Sequence, residues 1–190
     1  MIPGALWDAA RDLQEFLASE SLAFCFIGGI ACQRWGEPRM TRDLDGTVIA
    51  DFGQEMPVVR AVLRRYQPRI ADPVSFALQA RVLLVQDISG FGIDLSLGGM
   101  PYEHRLVARA SAWGSPGAGT IRTCSAEDLV VLKAFASRPQ DWIDIQHVIR
   151  RQAGSLDREL VIRELQPLVE LKEEPEILDH LRHLFEQAPS

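Results

Sequence analysis

Apolar residues at Leu6, Ala9, Ala10, Leu13, Phe16 and Leu17 fall at helical spacing, which predicts an amphipathic helix across Leu6 to Leu17. The pattern then shortens: "AFCFIGG" reads as a buried strand ending in two glycines, "IACQRWG" as a short helix closed near Gly36 and Pro38, and "TRDLDGTVIA" as the next strand. A helix is predicted from Pro57 to Tyr66, with Val58, Val59, Val62, Leu63 and Tyr66 on related faces. "RVLLVQDISGFGIDLSLGG" predicts two strands joined by a turn at Ser89-Gly90, the second carrying Asp94. A short helix is expected around Tyr102 to Ala108, "AWGSPGAGT" reads as a flexible loop, and "TIRTC" as a last short strand.

From Ser125 onward the period becomes helical. Ser125, with Asp128 three residues on, predicts a capped start for "SAEDLVVLKAFASR". Pro139 suits the first turn of "PQDWIDIQHVIRRQ", which Gly154 should end. Two more helices are predicted, Leu156 to Leu171 with a kink at Pro167, and Pro175 to Gln187. The expected class is therefore α+β: a mixed β-sheet flanked by helices over residues 1–124, followed by a helical region over residues 125–190 that packs on it.

Composition narrows the function without naming it. A chain of 190 residues with 47% hydrophobic residues can bury a core unaided. The N-terminal segment shows no basic leader followed by an apolar run, and no stretch is long and apolar enough to span a bilayer, so a cytoplasmic protein without membrane association is expected. Cys25, Cys32 and Cys124 form no CxxC pair and are expected to be reduced and mostly buried. A net charge of -6 argues against a protein that coats duplex nucleic acid through a general basic surface.

The chemistry concentrates in "TRDLDGTVIADF". Alone, "DLDGT" resembles the first motif of haloacid-dehalogenase-type phosphatases, with Asp43 as nucleophile. Such an aspartate must end a buried strand, yet the preceding "GEPRMTR" is polar and the apolar run comes after it. A calcium loop starting at Asp43 would put Val48 where the turn glycine belongs and Gln54 where the bidentate glutamate belongs. A nucleotidyl-transfer site fits better. Gly28 and Gly29 can form a strand-to-helix turn that phosphates approach without a Cβ in the way. Asp43 and Asp45, two apart on a strand, share a face while Leu44 turns to the core. Asp94 on another strand supplies a third carboxylate for two divalent ions about 3.5–4 Å apart. Lys133, Arg42 and Arg39 are candidates to offset phosphate charge.

"FIGGIACQRWGEPRMTRDLDGTV", then "GIDLSLGG" and "CSAEDLVVLKAFASRPQDWIDIQHVI", together resemble nucleotidyltransferases of the DNA polymerase beta superfamily, specifically the AbiEii-toxin-like group, from about Phe24 to Ile149. The resemblance implies a metal-dependent enzyme that moves an NMP from an NTP to an acceptor hydroxyl and releases pyrophosphate. It implies Asp43, Asp45 and Asp94 as ligands of two Mg²⁺ ions, Gly28 and Gly29 as the phosphate turn, Lys133 as a catalytic phosphate contact, and a base role for Asp94. Arg42 joins the nucleotide-binding set. The implied acceptor is a tRNA 3′ end or a protein hydroxyl, and the implied partner a cognate antitoxin. Asp141 and Asp144 match the acidic helix after the lysine. Gly46 departs from the apolar residue usual after the second aspartate and suggests a bulge. It is the feature that favours an alternative, a non-catalytic relative that binds a nucleotide or partner.

Each residue also has a plain structural reading. Gly28-Gly29 could be an ordinary turn, Lys133 a solvated lysine on an amphipathic helix, and Asp141 and Asp144 first-turn acids that complement a helix dipole. Trp35, Trp113 and Trp142 read as core or hinge residues, and the four histidines show no ligand spacing with any cysteine.

Overall fold

A computed structural model describes residues 4–115 and 119–188. The chain divides into two compact units, Met1–Ile30 with Met40–Cys124, and Ala31–Arg39 with Ser125–Ser190. The first holds helix α1 (Gly4–Ser19), strand β1 (Phe24–Phe26), the start of α2 (Gly28–Trp35), β2 (Asp43–Ile49), α3 (Glu55–Arg65), β3 (Gln67–Pro68), α4 (Pro73–Ala80), β4 (Val82–Gln86), β5 (Gly92–Gly98), α5 (Pro101–Arg109), β6 (Ser111–Ser115) and β7 (Gly119–Thr123). The second holds the rest of α2 and the helices α6 (Ala126–Ala136), α7 (Pro139–Arg151), α8 (Arg158–Lys172) and α9 (Glu176–Gln187). The fold is α+β, with a mixed sheet and a helical C-terminal part.

Among the described residues the strands form one sheet in the order β3-β4-β5-β2-β1-β7-β6. Parallel pairing joins β2 to β5 and β1 to β7, and the other neighbours run antiparallel. The β2–β5 register sets Leu44 opposite Ile93, Asp45 opposite Asp94 and Val48 opposite Leu97. Because side chains alternate, Leu44, Val48, Ile93, Leu95 and Leu97 enter the core, and the aspartates take the other face. Each such buried aliphatic side chain contributes roughly 1.5–3 kcal/mol. Leu6, Ala10, Leu13 and Leu17 of α1 complete the same core. On α1, Gln14 donates to the Thr120 carbonyl and accepts from the Arg122 N–H, which ties the helix to β7.

Gly46 causes no bulge. The β2–β5 register runs unbroken from Asp43 to Ile49, opposite Gly92 to Gly98. A Cβ at Gly46 would stand 3.2 Å from Leu95 Cδ2 and 3.4 Å from the Cys25 carbonyl, so the glycine makes room inside a regular sheet.

Two segments hold elements that the sequence pattern does not announce. The segment between Tyr66 and Arg81 carries β3 and α4, the latter capped by Asp72, whose side chain accepts from the Ser75 N–H, with Pro73 in the first turn. The "AWGSPGAGT" segment is strand on both sides, β6 pairing with β7 from Ser111–Thr123 to Ser115–Gly119, with Trp113 packed edge-on against Trp7 at 5.4 Å. Residues 116–118, the middle of the expected loop, lie outside the described residues.

In the helical unit α6 packs against α7, α8 and α9. Leu129, Val130, Val131 and Ala134 are all buried, so α6 is enclosed around its circumference and is not the amphipathic surface helix expected from its sequence. Ser125 caps it, accepting from the Asp128 N–H. The 31–39 segment docks on α7: Gln152 donates to the Trp35 carbonyl at 3.0 Å, Arg151 donates to the Gly36 carbonyl, and Glu37 lies 3.4 Å from His147. Helix α7 ends at Arg151, with Gly154 at φ +79° in the turn beyond it, and α8 runs on through Pro167.

Candidate active site

The sheet unit carries an acidic face. Asp43, Asp45 and Asp94 share it, since Asp43 and Asp45 are two apart on β2 and Asp94 is the register partner of Asp45 on β5. Asp43 stands opposite Gly92, and a Cβ there would collide with Asp43 Oδ1 and come within 2.8 Å of an Arg69 guanidinium nitrogen. Arg69 itself pairs with Asp94 Oδ1. Burial pushes the Asp94 carboxyl above its ordinary value; Arg69 opposes the rise and the charge of Asp43 adds to it.

Asp45 is engaged at the start of α2, where Gly29 N–H donates to its Oδ2 at 3.2 Å. A carboxylate at a helix N-terminus meets unsatisfied amides and the positive end of the dipole. The two glycines are needed for this arrangement. Gly28 adopts φ +54°, and a Cβ there would collide with Asp45 Oδ2; one at Gly29 would collide with Thr41 Oγ1, which also hydrogen-bonds the Asp43 carbonyl at 3.1 Å. Arg42, beside Asp43, is exposed.

Three carboxylates are hard oxygen donors of the kind Mg²⁺ prefers, and the glycines at 28 and 92 give the cradle in which they sit. In chemistry and shared face they fit a divalent ion. As the side chains stand, no three His, Cys, Asp or Glu residues among those described form a metal-holding group, because Asp94 is turned to Arg69 and Asp45 to the helix.

Lys133 belongs to a second cluster, in the helical unit. Its ammonium is 2.8 Å from Asp141 Oδ1 and 2.7 Å from Asp144 Oδ2, and the lysine is 7% exposed. Asp144 also accepts from Gln140 at 3.1 Å and pairs with Arg39 at 3.4 Å, and the Cys32 thiol lies 3.7 Å away. Burial lowers the Lys133 pKa, but Cys32 and the hydrogen-bonded carboxylates of Asp141 and Asp144 outweigh it and the net shift is upward. Burial likewise raises Asp144, yet hydrogen bonds from Lys133 and Gln140 and the nearby cations hold it below the ordinary value. Burial drives the Cys32 thiol to about 12. A phosphate at Lys133 would be a third anionic partner for this ammonium.

The acidic face thus brings together Asp43, Asp45, Asp94, Gly28 and Gly29, while Lys133 is held by Asp141 and Asp144 in its own unit. Sequence reasoning does not find Arg69, Thr41 and Gly92. Nothing in the sequence marks Arg69, whose place depends on the pairing of two-residue β3 with β4. The free cysteines are buried as expected. His180 stacks on Trp142 with ring centroids 4.0 Å apart. No helix among the described residues is long and apolar enough to cross a membrane.

The model of a family described as nucleotidyl transferase AbiEii toxin, type IV TA system, matches residues 11–188. Curated protein sequences give no match. Among solved structures, an antigenic nucleotidyltransferase-like protein from Paracoccidioides brasiliensis aligns over 92% of this chain and 92% of its own, with a TM-score of 0.51 and 14% identity. The antibiotic-resistance factor ANT(2'')-Ia aligns in its solution structure over 94% of this chain and 97% of its own, with a TM-score of 0.54 and 15% identity. Its crystal complex with adenylyl-2''-tobramycin aligns over 88% and 99%, with a TM-score of 0.54 and 14% identity. At such identities the likeness is one of fold.

Proposed function

Because the chain belongs to the AbiEii nucleotidyltransferase toxin family, we propose that this nucleotidyltransferase works from the acidic face, moving an NMP from an NTP to an acceptor hydroxyl. The observation that carries the reading is the register of β2 and β5, which sets Asp45 beside Asp94 with Asp43 on the same face. The acceptor oxygen attacks the α-phosphorus, a new P–O bond forms, the bond to the β-phosphate oxygen breaks and pyrophosphate leaves. Asp43, Asp45 and Asp94 would hold Mg²⁺, two ions in this proposal, which would stabilise the attacking and leaving oxygens together.

The protein's own groups do the rest. Gly28 and Gly29 open the start of α2 to a phosphate oxygen, and Arg42 supplies positive charge to the triphosphate. Asp94 takes the proton of the acceptor hydroxyl. The acceptor we propose is a tRNA 3′ end or a protein hydroxyl, the partner a cognate antitoxin, and the compartment the cytoplasm; the toxin-antitoxin description of the family supports the antitoxin.

Calorimetric titration of each of the four NTPs, in Mg²⁺ and in EDTA, tests this with wild type and Asp43→Asn. Binding that needs Mg²⁺ and is lost in the variant is the expected result; equal binding with and without Mg²⁺ would overturn the metal-dependent mechanism. That second result is what a non-catalytic nucleotide-binding relative would give, a reading favoured by the protein partners that Asp45 and Asp94 already have.

A further inference from the structure

On the acidic face one cation comes from the protein itself. The Arg69 N–H donates to the Leu84 carbonyl at 3.1 Å, which fixes its backbone with β4 between it and β5. Leu84 is the register partner of Asp94, so a side chain leaving Arg69 across that face reaches the Asp94 carboxylate directly. One guanidinium nitrogen pairs with Asp94 Oδ1. The other lies 2.8 Å from the point a Gly92 Cβ would occupy, the same point that Asp43 Oδ1 crowds. Arg69 therefore pairs with Asp94 and turns its other nitrogen toward the same point that Asp43 approaches.

We infer that Arg69 is a built-in counter-ion of the acidic face, filling the space between Asp43 and Asp94 that a divalent cation takes and competing with it. This role rests on the proposed metal-binding role of these aspartates. Its chemistry is that of a guanidinium, which stays protonated at any pH the protein meets, so the pair opens by displacement and not by losing a proton. With Arg69 in place the face is partly neutralised and the sheet tolerates its own acids. A divalent ion brings twice the charge and accepts oxygens from both strands, so it can drive the exchange. The pair is only half-buried, with side-chain exposures of 28% for Arg69 and 37% for Asp94, which leaves the guanidinium a path outward. Arg69 is in this sense a positioning residue.

The test is Mn²⁺ binding to nucleotide-free protein, read by electron paramagnetic resonance of the free ion, in wild type, Arg69→Gln, Arg69→Lys and Asp43→Asn. Arg69→Gln is expected to bind Mn²⁺ about fivefold to tenfold more tightly than wild type, the scale of one half-exposed ion pair. Arg69→Lys should fall near wild type, and Asp43→Asn should lose binding. A residue that merely props up the fold would give the opposite, weaker binding on substitution. Unchanged or weaker binding in Arg69→Gln, with Asp43-dependent binding intact in wild type, would overturn the inference and leave the metal site standing. Absence of any Asp43-dependent Mn²⁺ binding would overturn both. Arg69→Met serves as the second variant if Arg69→Gln does not fold.

Discussion

The two charged clusters are built from the same residue types and solve opposite problems. On the sheet, three aspartates lie on one face, one of them paired with an arginine, and Asp43 is open to solvent. In the helical unit one lysine is closed in by two aspartates, with Arg39, Gln140 and Cys32 around it. The titration of the two sites reflects this. Burial pushes Asp94 above its ordinary value although Arg69 opposes it, whereas hydrogen bonds from Lys133 and Gln140 hold Asp144 below its ordinary value despite burial. An acidic face that still reaches solvent through Asp43 is suited to an incoming cation. A balanced, buried network is suited to holding helices in place.

The largest expected effect comes from unbalancing the closed cluster. Lys133→Met should leave buried Asp141 without its cation and Asp144 with Arg39 alone, and destabilise the fold by about 3–5 kcal/mol in urea denaturation. A loss below about 1 kcal/mol would show that the lysine does not organise the helices, and would erase the contrast.

Gly28→Ala strikes the acidic face through its backbone. The φ of +54° and the collision with Asp45 should cost roughly 1–3 kcal/mol, measured by the same denaturation, and should turn Asp45 away from α2. Asp94→Asn, by contrast, should change stability by less than about 1 kcal/mol, because its ionised form is disfavoured where it stands and its ion pair is half-exposed.

The pH profile sharpens the comparison at the closed cluster. Asp144 has a depressed pKa, so its contribution is present above the ordinary aspartate value of 3.8 and is lost as pH falls through its lower folded value. Lys133 has a raised pKa, so its contribution is present below the ordinary lysine value of 10.5 and is lost as pH rises through its higher folded value. Melting temperatures of wild type and Asp144→Asn should therefore converge at acid pH and diverge near neutrality. The smallest effect concerns Cys32: buried, with its thiol at about 12, it should react with a thiol reagent only as fast as the protein opens.

How legible each feature is in the sequence depends on how local its determinant is. The spacing of Asp43 and Asp45 and the apolar flanks of Asp94 are local, and strand alternation turns them into a shared face once β2 pairs with β5. Segment 67–80 gives little sign of its structure, because β3 exists only by pairing with β4 and α4 is short and largely apolar. β6 reads as loop because its Gly and Ser lack strand propensity; pairing with β7 and the Trp7–Trp113 contact override that. The burial of Lys133 does have a signal, the unbroken apolar run Leu129 to Leu132, which leaves an α-helix no polar side. Arg69 has none, since its role is set by a partner on another strand.

The most direct test is transfer of label from each of the four NTPs, radiolabelled at the α-phosphate, into RNA and protein fractions in the presence of Mg²⁺, with wild type and a folded Asp43→Asn. Label transfer and pyrophosphate release by wild type with at least one NTP, reduced by at least about a hundredfold in the variant, is the predicted result. Transfer that is undiminished in Asp43→Asn, or no transfer from any of the four, would contradict the claim that the acidic face carries the reaction.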